Sequence, residues 1–221
     1  MDDLPKILFV LSYGYLLGSI NSAFIVGKVA KGLDLRKTGT GTLGAANVWY
    51  HVGRFWIFPV GVFDLFIKGM TPVYLARYGL DLDLGIQAAA GILAILGHNW
   101  PVFLKFHGGR GIAPTVGVLL ALARMELLIF IVVATAGWRL TDHSARWVLI
   151  GLLVMTLAAF LWDKPLPIQL TLILFIVIVI LKRLFPDNKL GGAFKTRNVF
   201  LNRMMNDRDI DDHDSWVNQN R

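Results

Sequence analysis

Long apolar segments separated by short polar ones constrain the fold of this chain more than any other sequence feature. Residues 7–29 and 168–184 can each cross the roughly 30 Å hydrocarbon layer of a bilayer as a helix rising 1.5 Å per residue. Apolar and polar residues do not alternate, as they would in the strands of a membrane barrel. Only 17% of the residues are charged and 55% are hydrophobic, whereas soluble domains carry about 25% charged residues. We therefore predict an all-α, polytopic membrane helix bundle.

The apolar segments predict seven transmembrane helices. They are residues 7–29, 57–78, 86–103, 112–123, 127–138, 147–162 and 168–184. Arg124 and Glu126 interrupt the apolar run between the fourth and fifth of these helices. Either one long helix buries both charges, or two short tilted helices meet at a turn over residues 124–126. The cost of placing two charges in lipid favours the second interpretation.

The distribution of basic residues predicts the orientation of the bundle. Lys and Arg cluster around the loop 30–55, and cytoplasmic loops are normally the basic ones. We expect the N-terminus outside, the C-terminus in the cytoplasm, and a multi-pass protein of the cell (inner or plasma) membrane. We attribute the net charge of +7 to the basic residues of the cytoplasmic loops, so it does not indicate a nucleic-acid partner. Residues 1–185 are expected to form the bundle and residues 186–221 a polar, partly disordered cytoplasmic tail.

Two of the predicted spans carry residues whose helical spacing indicates contacts. Gly14, Gly18 and Ser22 recur every four residues, which makes a small-residue face suited to close helix packing. Asp64 and Lys68 lie four residues apart in the second span, so they share a helix face and can pair. A charge at the centre of a membrane helix costs roughly 2.5–3.5 kcal/mol, so the pair is expected to face the bundle interior. It is either an ion pair that fixes packing or one wall of a polar site.

The loop 36–50 reads RKTGTGTLGAANVWY and combines several groups that bind anions. Glycines let the backbone approach a ligand closely, and hydroxyl, amide and backbone N–H groups can donate to it. The residues concerned are Gly39, Thr40, Gly41, Thr42, Gly44 and Asn47. The GxGxxG spacing does not indicate a dinucleotide site, because no strand or βαβ unit surrounds it. The loop is either a phosphate cradle at the membrane surface, with a helix beginning near its end, or a glycine-rich turn between two spans.

A second polar glycine segment, residues 96–111, reads LGHNWPVFLKFHGGRG and is predicted to lie on the same side of the membrane. Its glycines are Gly108, Gly109 and Gly111. They surround Arg110, whose guanidinium can bind a phosphate through two parallel hydrogen bonds. His98 could serve as a general base, a phosphate donor or a packing residue. No metal site is expected, since His98 and His107 lack a nearby pair of carboxylates.

Several separated motifs resemble the bacterial acyl-phosphate-dependent glycerol-3-phosphate acyltransferases, the PlsY family. They run in order through GSINSAFIVGKVAKGLDLRKTGTGTLGAANV from residue 18, DLFIKG over 64–69 and LGHNWPVFLKFHGGRGIA over 96–113. The resemblance implies transfer of a fatty acyl group from acyl phosphate to the 1-hydroxyl of glycerol 3-phosphate. The products would be lysophosphatidate and phosphate, without coenzyme A, acyl carrier protein, metal or other cofactor.

The resemblance also implies roles for individual residues. Thr40, His98 and Arg110 are expected to be the catalytic set, with Arg110 standing at the family's binding lysine. The expected phosphate-binding residues are Gly39, Gly41, Thr42, Gly44, Asn47, Gly108, Gly109 and Gly111. Thr40, Thr42 and Asn47 would hold the acyl phosphate, Arg110 would hold the acceptor phosphate, and His98 would shape the site.

The chain departs from the family pattern in its first loop, where the family reads GSGNxGATNV followed closely by an arginine. Here Thr40 replaces the serine, Thr42 the asparagine, Ala46 the threonine, and Tyr50 stands at the arginine position. The family's C-terminal RHRENIxRLL pattern is only vaguely present in residues 195–205. Two alternatives therefore stay open. One is a non-catalytic transport or binding protein with the same fold, and the other is an acyltransferase with a different polyol phosphate as its acceptor.

Overall fold

A computed structural model describes residues 3–187 and 197–208, and within these ranges the regular elements are helices. In chain order they are α1 Leu4–Ser19, α2 Ser22–Lys31, α3 Ala45–His51, α4 Arg54–Gly79, α5 Leu84–Asn99, α6 Ile112–Leu122, α7 Arg124–Thr141, α8 Ser144–Leu161, α9 Leu166–Leu184 and α10 Arg197–Asn206. Short 3₁₀ turns lie in the loops at Leu35–Lys37 and Val102–Leu104. The all-α class predicted from the sequence is confirmed.

Five helical segments of the described ranges are long and apolar enough to cross a membrane. They are Leu4–Lys31, Arg54–Gly79, Leu84–Leu104, Ser144–Leu161 and Leu166–Leu184, while α6 is a shorter apolar helix. Large apolar side chains such as Phe9, Leu157 and Leu170 are exposed on the outside of the bundle, where lipid would cover them. These features confirm a membrane helix bundle, whereas the count of seven spans and the orientation stay predictions.

The first span is not one continuous helix, contrary to the interpretation of residues 7–29. Helix α1 ends at Ser19 and α2 begins at Ser22, with extended backbone at Ile20 and Asn21. The Asn21 side chain accepts a hydrogen bond from the Phe24 N–H at 2.8 Å, and such an N-cap satisfies one of the backbone donors that the break leaves unpaired. A capped break is therefore compatible with a membrane span.

Glycines let pairs of helices approach closely in two places. A side chain at Gly14 would meet a carbonyl oxygen of α5 at 2.6 Å, and one at Gly18 would overlap the same helix. The predicted small-residue face is thus confirmed for these two glycines, while Ser22 instead donates a hydrogen bond to a carboxylate of α4. Helices α4 and α6 meet at Gly69 and Gly117, where an added Cβ on Gly69 would lie 2.7 Å from the Gly117 Cα. Backbone-to-backbone packing of this kind is typical of membrane bundles.

Helix α4 contains two π-helical stretches, Phe63–Met70 and Leu75–Gly79. Such wider turns occur often at functional sites, and no sequence pattern predicted them. The first stretch carries the predicted ion pair, with Lys68 Nζ 2.7 Å from Asp64 Oδ1. Both side chains are buried, as their position inside the span requires.

A helix break between the fourth and fifth apolar segments is confirmed, but the turn predicted over residues 124–126 is wrong, because these residues form the first turn of the next helix. Helix α6 ends before Ala123 and α7 begins at Arg124, so the break falls just before the charged residues. Glu126 is fully buried and lies 3.2 Å from the Lys164 ammonium, which reaches it from the turn between α8 and α9. The buried charge is thus compensated by an opposite charge.

Helix α10 packs on the end of the bundle formed by α8 and α9. Arg203 donates to the Leu184 carbonyl at 3.3 Å, and Arg146 donates to the Asn206 side chain at 2.9 Å. Within the predicted tail, residues 186–187 and 197–208 are described, whereas the disorder predicted for its end and most of its acidic run lie outside the described residues. The division into a bundle and a tail stays a prediction.

Candidate functional site

A cavity of about 970 Å³ lies between the two glycine segments. The predicted site residues that line it are Thr40, Thr42, Gly44, His98, Arg110 and Gly111. Its apolar wall includes Val60, Leu65, Ile112, Val116, Val148 and Val179 from four helices. A polar end and an apolar wall within one cavity suit an amphipathic ligand.

Asn47 organises the first glycine loop from inside. Its Nδ2 atom lies 3.0, 2.9 and 3.1 Å from the carbonyl oxygens of Leu35, Thr38 and Thr42, respectively, and its side chain is fully buried. Asn47 is not among the residues that line the cavity. The structure therefore places this predicted phosphate ligand behind the loop, where its amide fixes the backbone conformation.

The three glycines of the first loop differ in backbone conformation and in packing. Gly39 and Gly41 have φ values of 55° and 68°, in the left-handed region that favours glycine. A side chain at Gly39 would also overlap the His51 ring, so this glycine is packed against α3. Gly44 has extended backbone and precedes α3, which begins where the sequence predicted a helix. Only Gly44 of the three lines the cavity.

Two threonine hydroxyls mark the cavity's polar end. The Oγ1 atoms of Thr40 and Thr42 lie 2.8 Å apart, and either can donate to the other. The Thr42 N–H also donates to Thr40 Oγ1 at 3.4 Å. Both residues line the cavity, so two neighbouring hydroxyls stand where the resemblance implies acyl phosphate binding.

The two glycine segments, predicted to share one side of the membrane, are in direct contact. The Leu43 N–H donates to the Gly108 carbonyl at 3.4 Å, and the Gly109 N–H donates to the His98 carbonyl at 3.1 Å. A side chain at Gly109 would lie 2.8 Å from the Leu43 carbonyl and would overlap the His98 ring. Gly109 is therefore required by close packing, and it brings the first loop and His98 together.

The Gly108 N–H already binds an anionic group of the chain itself. It donates to Asp187 Oδ2 at 2.8 Å, and Lys182 Nζ lies 2.7 Å from each oxygen of the same carboxylate. At this position the anion is therefore a side chain of the protein, and phosphate binding by Gly108 stays a prediction. Gly111, with φ of 75°, is packed against the Asn99 side chain.

Arg110 and Arg183 form a cationic cluster on the cavity wall. The Arg110 guanidinium pairs with the Asp207 carboxylate, and Arg183 Nε lies 3.9 Å from Asp207 Oδ1. The other nitrogens of Arg183 donate to the carbonyls of Met204 and Ala145 at 2.8 and 2.7 Å. Two guanidinium groups therefore converge on one carboxylate beside the cavity.

His98 belongs to a buried polar chain that begins on α2. Ser22 Oγ donates to Asp64 Oδ1 at 2.7 Å, and Lys68 Nζ, paired with that carboxylate, lies 3.2 Å from His98 Nδ1. The second Asp64 oxygen is 3.8 Å from the same ring nitrogen. Asp64 and His98 both line the cavity, so the ion pair contributes to the polar wall through its carboxylate.

The arginine that the family carries at Tyr50 is not replaced by the nearby arginines in this structure. Arg36 pairs with Asp34 at 2.8 Å, and its hydrogen bond lowers the pKa of Asp34 to about 2. Arg54 stacks on the Phe55 ring. Tyr50 itself lines the cavity, and the arginines that line it are Arg110, Arg146, Arg183 and Arg208.

Four residues at or near the site were not predicted from the sequence, namely Ser22, Lys182, Arg183 and Asp207. Two of them, Lys182 and Arg183, are cations at the end of the last apolar segment. Their one signal is position, because they lie in the final turn of an otherwise apolar helix. Among residues 3–187 and 197–208, no group of three metal-ligating side chains lies together.

Comparison with known proteins identifies relatives over the whole bundle. Residues 8–185 match a family model described as glycerol-3-phosphate acyltransferase. The chain is 34% identical over 222 residues to "Glycerol-3-phosphate acyltransferase 4" of Dehalococcoides mccartyi (strain CBDB1), covering 98% of this chain and 95% of the relative. It is 37% identical over 173 residues to the glycerol-3-phosphate acyltransferase of Gloeobacter violaceus, covering 75% and 82% of the two chains.

Solved structures agree with this relationship. The fold is similar to the crystal structure of PlsY (YgiH), an integral membrane glycerol 3-phosphate acyltransferase, in its glycerol 3-phosphate form. The TM-score is 0.73 at 28% identity, over 79% of this chain and 86% of that one. The lysophosphatidic acid form gives the same TM-score at 26% identity, over 90% and 98% of the two chains. The chain therefore belongs to the glycerol-3-phosphate acyltransferase family.

Proposed function

We propose that this protein transfers a fatty acyl group from acyl phosphate to the 1-hydroxyl of glycerol 3-phosphate. The products are lysophosphatidate, a precursor of phospholipids, and inorganic phosphate. One observation carries the proposal: a single cavity has both glycine segments at its polar end and an apolar wall beside them. A phosphate headgroup and an acyl chain require that combination, and family membership supplies the reaction.

The proposed reaction needs positioning and charge stabilisation more than a dedicated nucleophile of the protein. The acceptor hydroxyl attacks the acyl carbonyl carbon, the bond from that carbon to the phosphate oxygen breaks, and the hydroxyl proton leaves with the phosphate. Holding both phosphates in one cavity converts an encounter in solution into a reaction between neighbours. Donors fixed around the site stabilise the negative charge that develops on the carbonyl oxygen.

The residues have distinct proposed roles. The hydroxyls of Thr40 and Thr42 hold the acyl phosphate, and they lie 2.8 Å apart at the polar end. Arg110 holds the acceptor phosphate, supported by the second guanidinium of Arg183, whose side chain converges with it on Asp207. The apolar helix faces accommodate the acyl chain.

We place the active side of the bundle in the cytoplasm and the protein in the inner membrane, because both glycine segments belong to the basic side of the topology. The chain contains no cysteine, so the labelling of a single introduced cysteine measures the accessibility of that position alone. Cells carrying Lys37→Cys should resist a membrane-impermeant maleimide, whereas cells carrying Lys6→Cys should react. The opposite pattern would reverse the orientation.

The decisive experiment is a turnover assay on purified protein in detergent micelles. Palmitoyl phosphate and glycerol 3-phosphate should yield phosphate and lysophosphatidate, and phosphate release should depend on the acceptor. Arg110→Ala should abolish acceptor-dependent release, whereas Arg124→Ala, an arginine near Glu126 and outside the cavity, should retain it. Release by the wild type no faster than by Arg110→Ala would refute the proposal.

The same assay separates the two alternatives that the first loop raises. Binding of palmitoyl phosphate without turnover would identify a transport or binding protein with this fold. Turnover with another polyol phosphate, at a rate above that with glycerol 3-phosphate, would identify a different acceptor. Palmitoyl coenzyme A in place of palmitoyl phosphate tests the donor and should give no product.

A further inference from the structure

A buried, hydrogen-bonded group of side chains connects three helices to the cavity. It consists of Ser22, Asp64, Lys68 and His98, each at most 7% exposed. The four residues place two charged groups, those of Asp64 and Lys68, inside the bundle. A buried ion pair is a weak source of stability, since well-packed apolar residues often replace it at no cost. His98 is the member of this group that has an imidazole ring, whose single proton in the neutral form can lie on either ring nitrogen.

The direction of the hydrogen bonds fixes the state of the imidazole. A Lys ammonium has three donors and no acceptor, so Lys68 Nζ, 3.2 Å from His98 Nδ1, donates to that nitrogen. The Asp64 carboxylate, which accepts from both Ser22 and Lys68 at 2.7 Å, holds the ammonium in place. A ring nitrogen that accepts carries no proton, so the proton of a neutral imidazole resides on Nε2.

Charge balance also favours a neutral ring. The buried group contains one carboxylate and one ammonium, which compensate each other. A protonated His98 would add a second buried cation without a second anion, and an unpaired buried charge is costly. The ring therefore has one donor, Nε2–H, and that donor does not lie on the side of Lys68.

The Nε2 atom faces the second glycine segment. A side chain at Gly109 would overlap it, and Gly109 immediately precedes Arg110. The ring lines the same cavity as the Arg110 guanidinium. A phosphate held by Arg110 would therefore lie on the side to which the Nε2–H donor is directed.

We propose that Lys68 and Asp64 are positioning residues that hold His98 as the neutral Nε2–H tautomer, so that it donates a hydrogen bond to the phosphate bound at Arg110. The identity of that phosphate as the acceptor's rests on the proposed function. In this role His98 is a donor that recognises substrate and not a general base.

Two isosteric substitutions separate positioning from packing. Lys68→Gln and Lys68→Met both remove the charge and have unbranched side chains of similar size, but only Gln can still donate to His98 Nδ1. We expect Lys68→Met to raise KM for glycerol 3-phosphate about tenfold above that of Lys68→Gln, with a smaller change in kcat, because one hydrogen bond to a charged group is lost. Equal KM values for the two variants would leave Lys68 with a packing role and overturn the proposal.

Nuclear magnetic resonance of the histidine nitrogens reads the tautomer directly, without turnover. The protein has five histidines, and ¹⁵N-histidine labelling with a His98→Gln reference assigns the signal. The wild type should show a protonated Nε2 and an unprotonated Nδ1 between pH 6 and 8, where an exposed histidine titrates. In Lys68→Met the proton should move to Nδ1, which then faces Asp64, while Lys68→Gln should keep it on Nε2.

The two proposals fail in different ways. A wild-type His98 protonated on Nδ1 would overturn the positioning role even in an active enzyme, and this result needs no variant that must fold. An inactive wild type with the Nε2–H tautomer would refute the proposed function and leave the geometry of His98 intact. Binding of glycerol 3-phosphate, measured by calorimetry, then tests whether the donor still contributes to affinity.

Discussion

Arg110 and Asp207, which are 97 residues apart in the chain, form an ion pair on the wall of the cavity. Arg183 approaches the same carboxylate from α9. The carboxylate therefore lies where we propose that the acceptor phosphate binds. The Asp207 carboxylate and a phosphate cannot both form paired hydrogen bonds with the same Arg110 guanidinium. Substrate binding must displace Asp207 from Arg110 or share the cationic cluster with it.

Asp207→Asn is expected to lower KM for glycerol 3-phosphate about threefold to tenfold. The substitution removes the competing charge, and one charge-assisted hydrogen bond contributes about 1.5–3 kcal/mol, part of which the displaced carboxylate regains from water. Initial rates over a range of acceptor concentrations measure the effect. Asp163→Asn is the matched control, because Asp163 is exposed in the turn between α8 and α9. An Asp207→Asn variant with a higher KM would show that the carboxylate assists binding.

Asn47→Ala is expected to destabilise the protein more than it weakens substrate binding. The Asn47 Nδ2 atom, with two hydrogens, lies within hydrogen-bonding distance of three loop carbonyls and is fully buried. Buried polar groups left unsatisfied cost about 1–3 kcal/mol each. The melting temperature in detergent should therefore fall by several degrees, whereas Thr42→Val, which removes a hydroxyl from the cavity, should change it little. A large increase in KM for palmitoyl phosphate at an unchanged melting temperature would instead make Asn47 a direct ligand.

The sequence predicted much of the site because its residues are close in the chain or lie in recognisable loops. The apolar segments predicted the membrane bundle, and the four-residue spacing predicted the pair of Asp64 and Lys68, since helical neighbours on one face are fixed by local geometry. The contact of the two glycine segments agrees with their predicted placement on one side of the membrane. These features depend on periodicity and topology alone.

The remaining features depend on contacts between distant segments. Nothing in the local sequence distinguishes Asn47 inside a loop from an amide that faces a ligand. Asp207 meets Arg110 only because α10 packs on the ends of α8 and α9. The break at Asn21 lies in an apolar run without proline, and its capping hydrogen bond becomes visible only in three dimensions.

Gly109→Ala is expected to reduce activity at least about a hundredfold and to lower the melting temperature. An added Cβ would overlap the His98 ring and approach the Leu43 carbonyl at 2.8 Å, so the contact between the two loops must open, and small misplacements of reacting groups are costly. Gly44→Ala is the control for stability, because a Cβ at Gly44 meets no atom within 4 Å and its backbone is extended. Equal melting temperatures for the two variants would contradict the packing argument.

Asp34→Asn is expected to remove an acid-sensitive contribution to stability. The pKa of Asp34 is lowered from 3.8 to about 2 by hydrogen bonding to Arg36, so its carboxylate stabilises the fold above pH 4 and this contribution is lost as the pH falls towards 2. The wild type should melt above the variant at pH 6, and the difference should shrink between pH 4 and pH 2. Melting curves recorded across this range test the sign. A difference that grows on acidification would contradict it.

Lys164→Met is expected to lower the free energy of unfolding by about 2 kcal/mol. It leaves the buried Glu126 carboxylate without its partner, and breaking a buried pair costs about 3–5 kcal/mol, a range reduced here because the Lys164 side chain is 31% exposed. Adding Glu126→Gln to this variant should restore most of the loss, since a neutral amide replaces the unpaired charge. Unfolding titrations of the wild type, both single variants and the double variant give the coupling between the two sites. A double variant less stable than Lys164→Met alone would show that groups other than Lys164 stabilise the Glu126 carboxylate. The ion pair would then not be the reason that this charge stays buried.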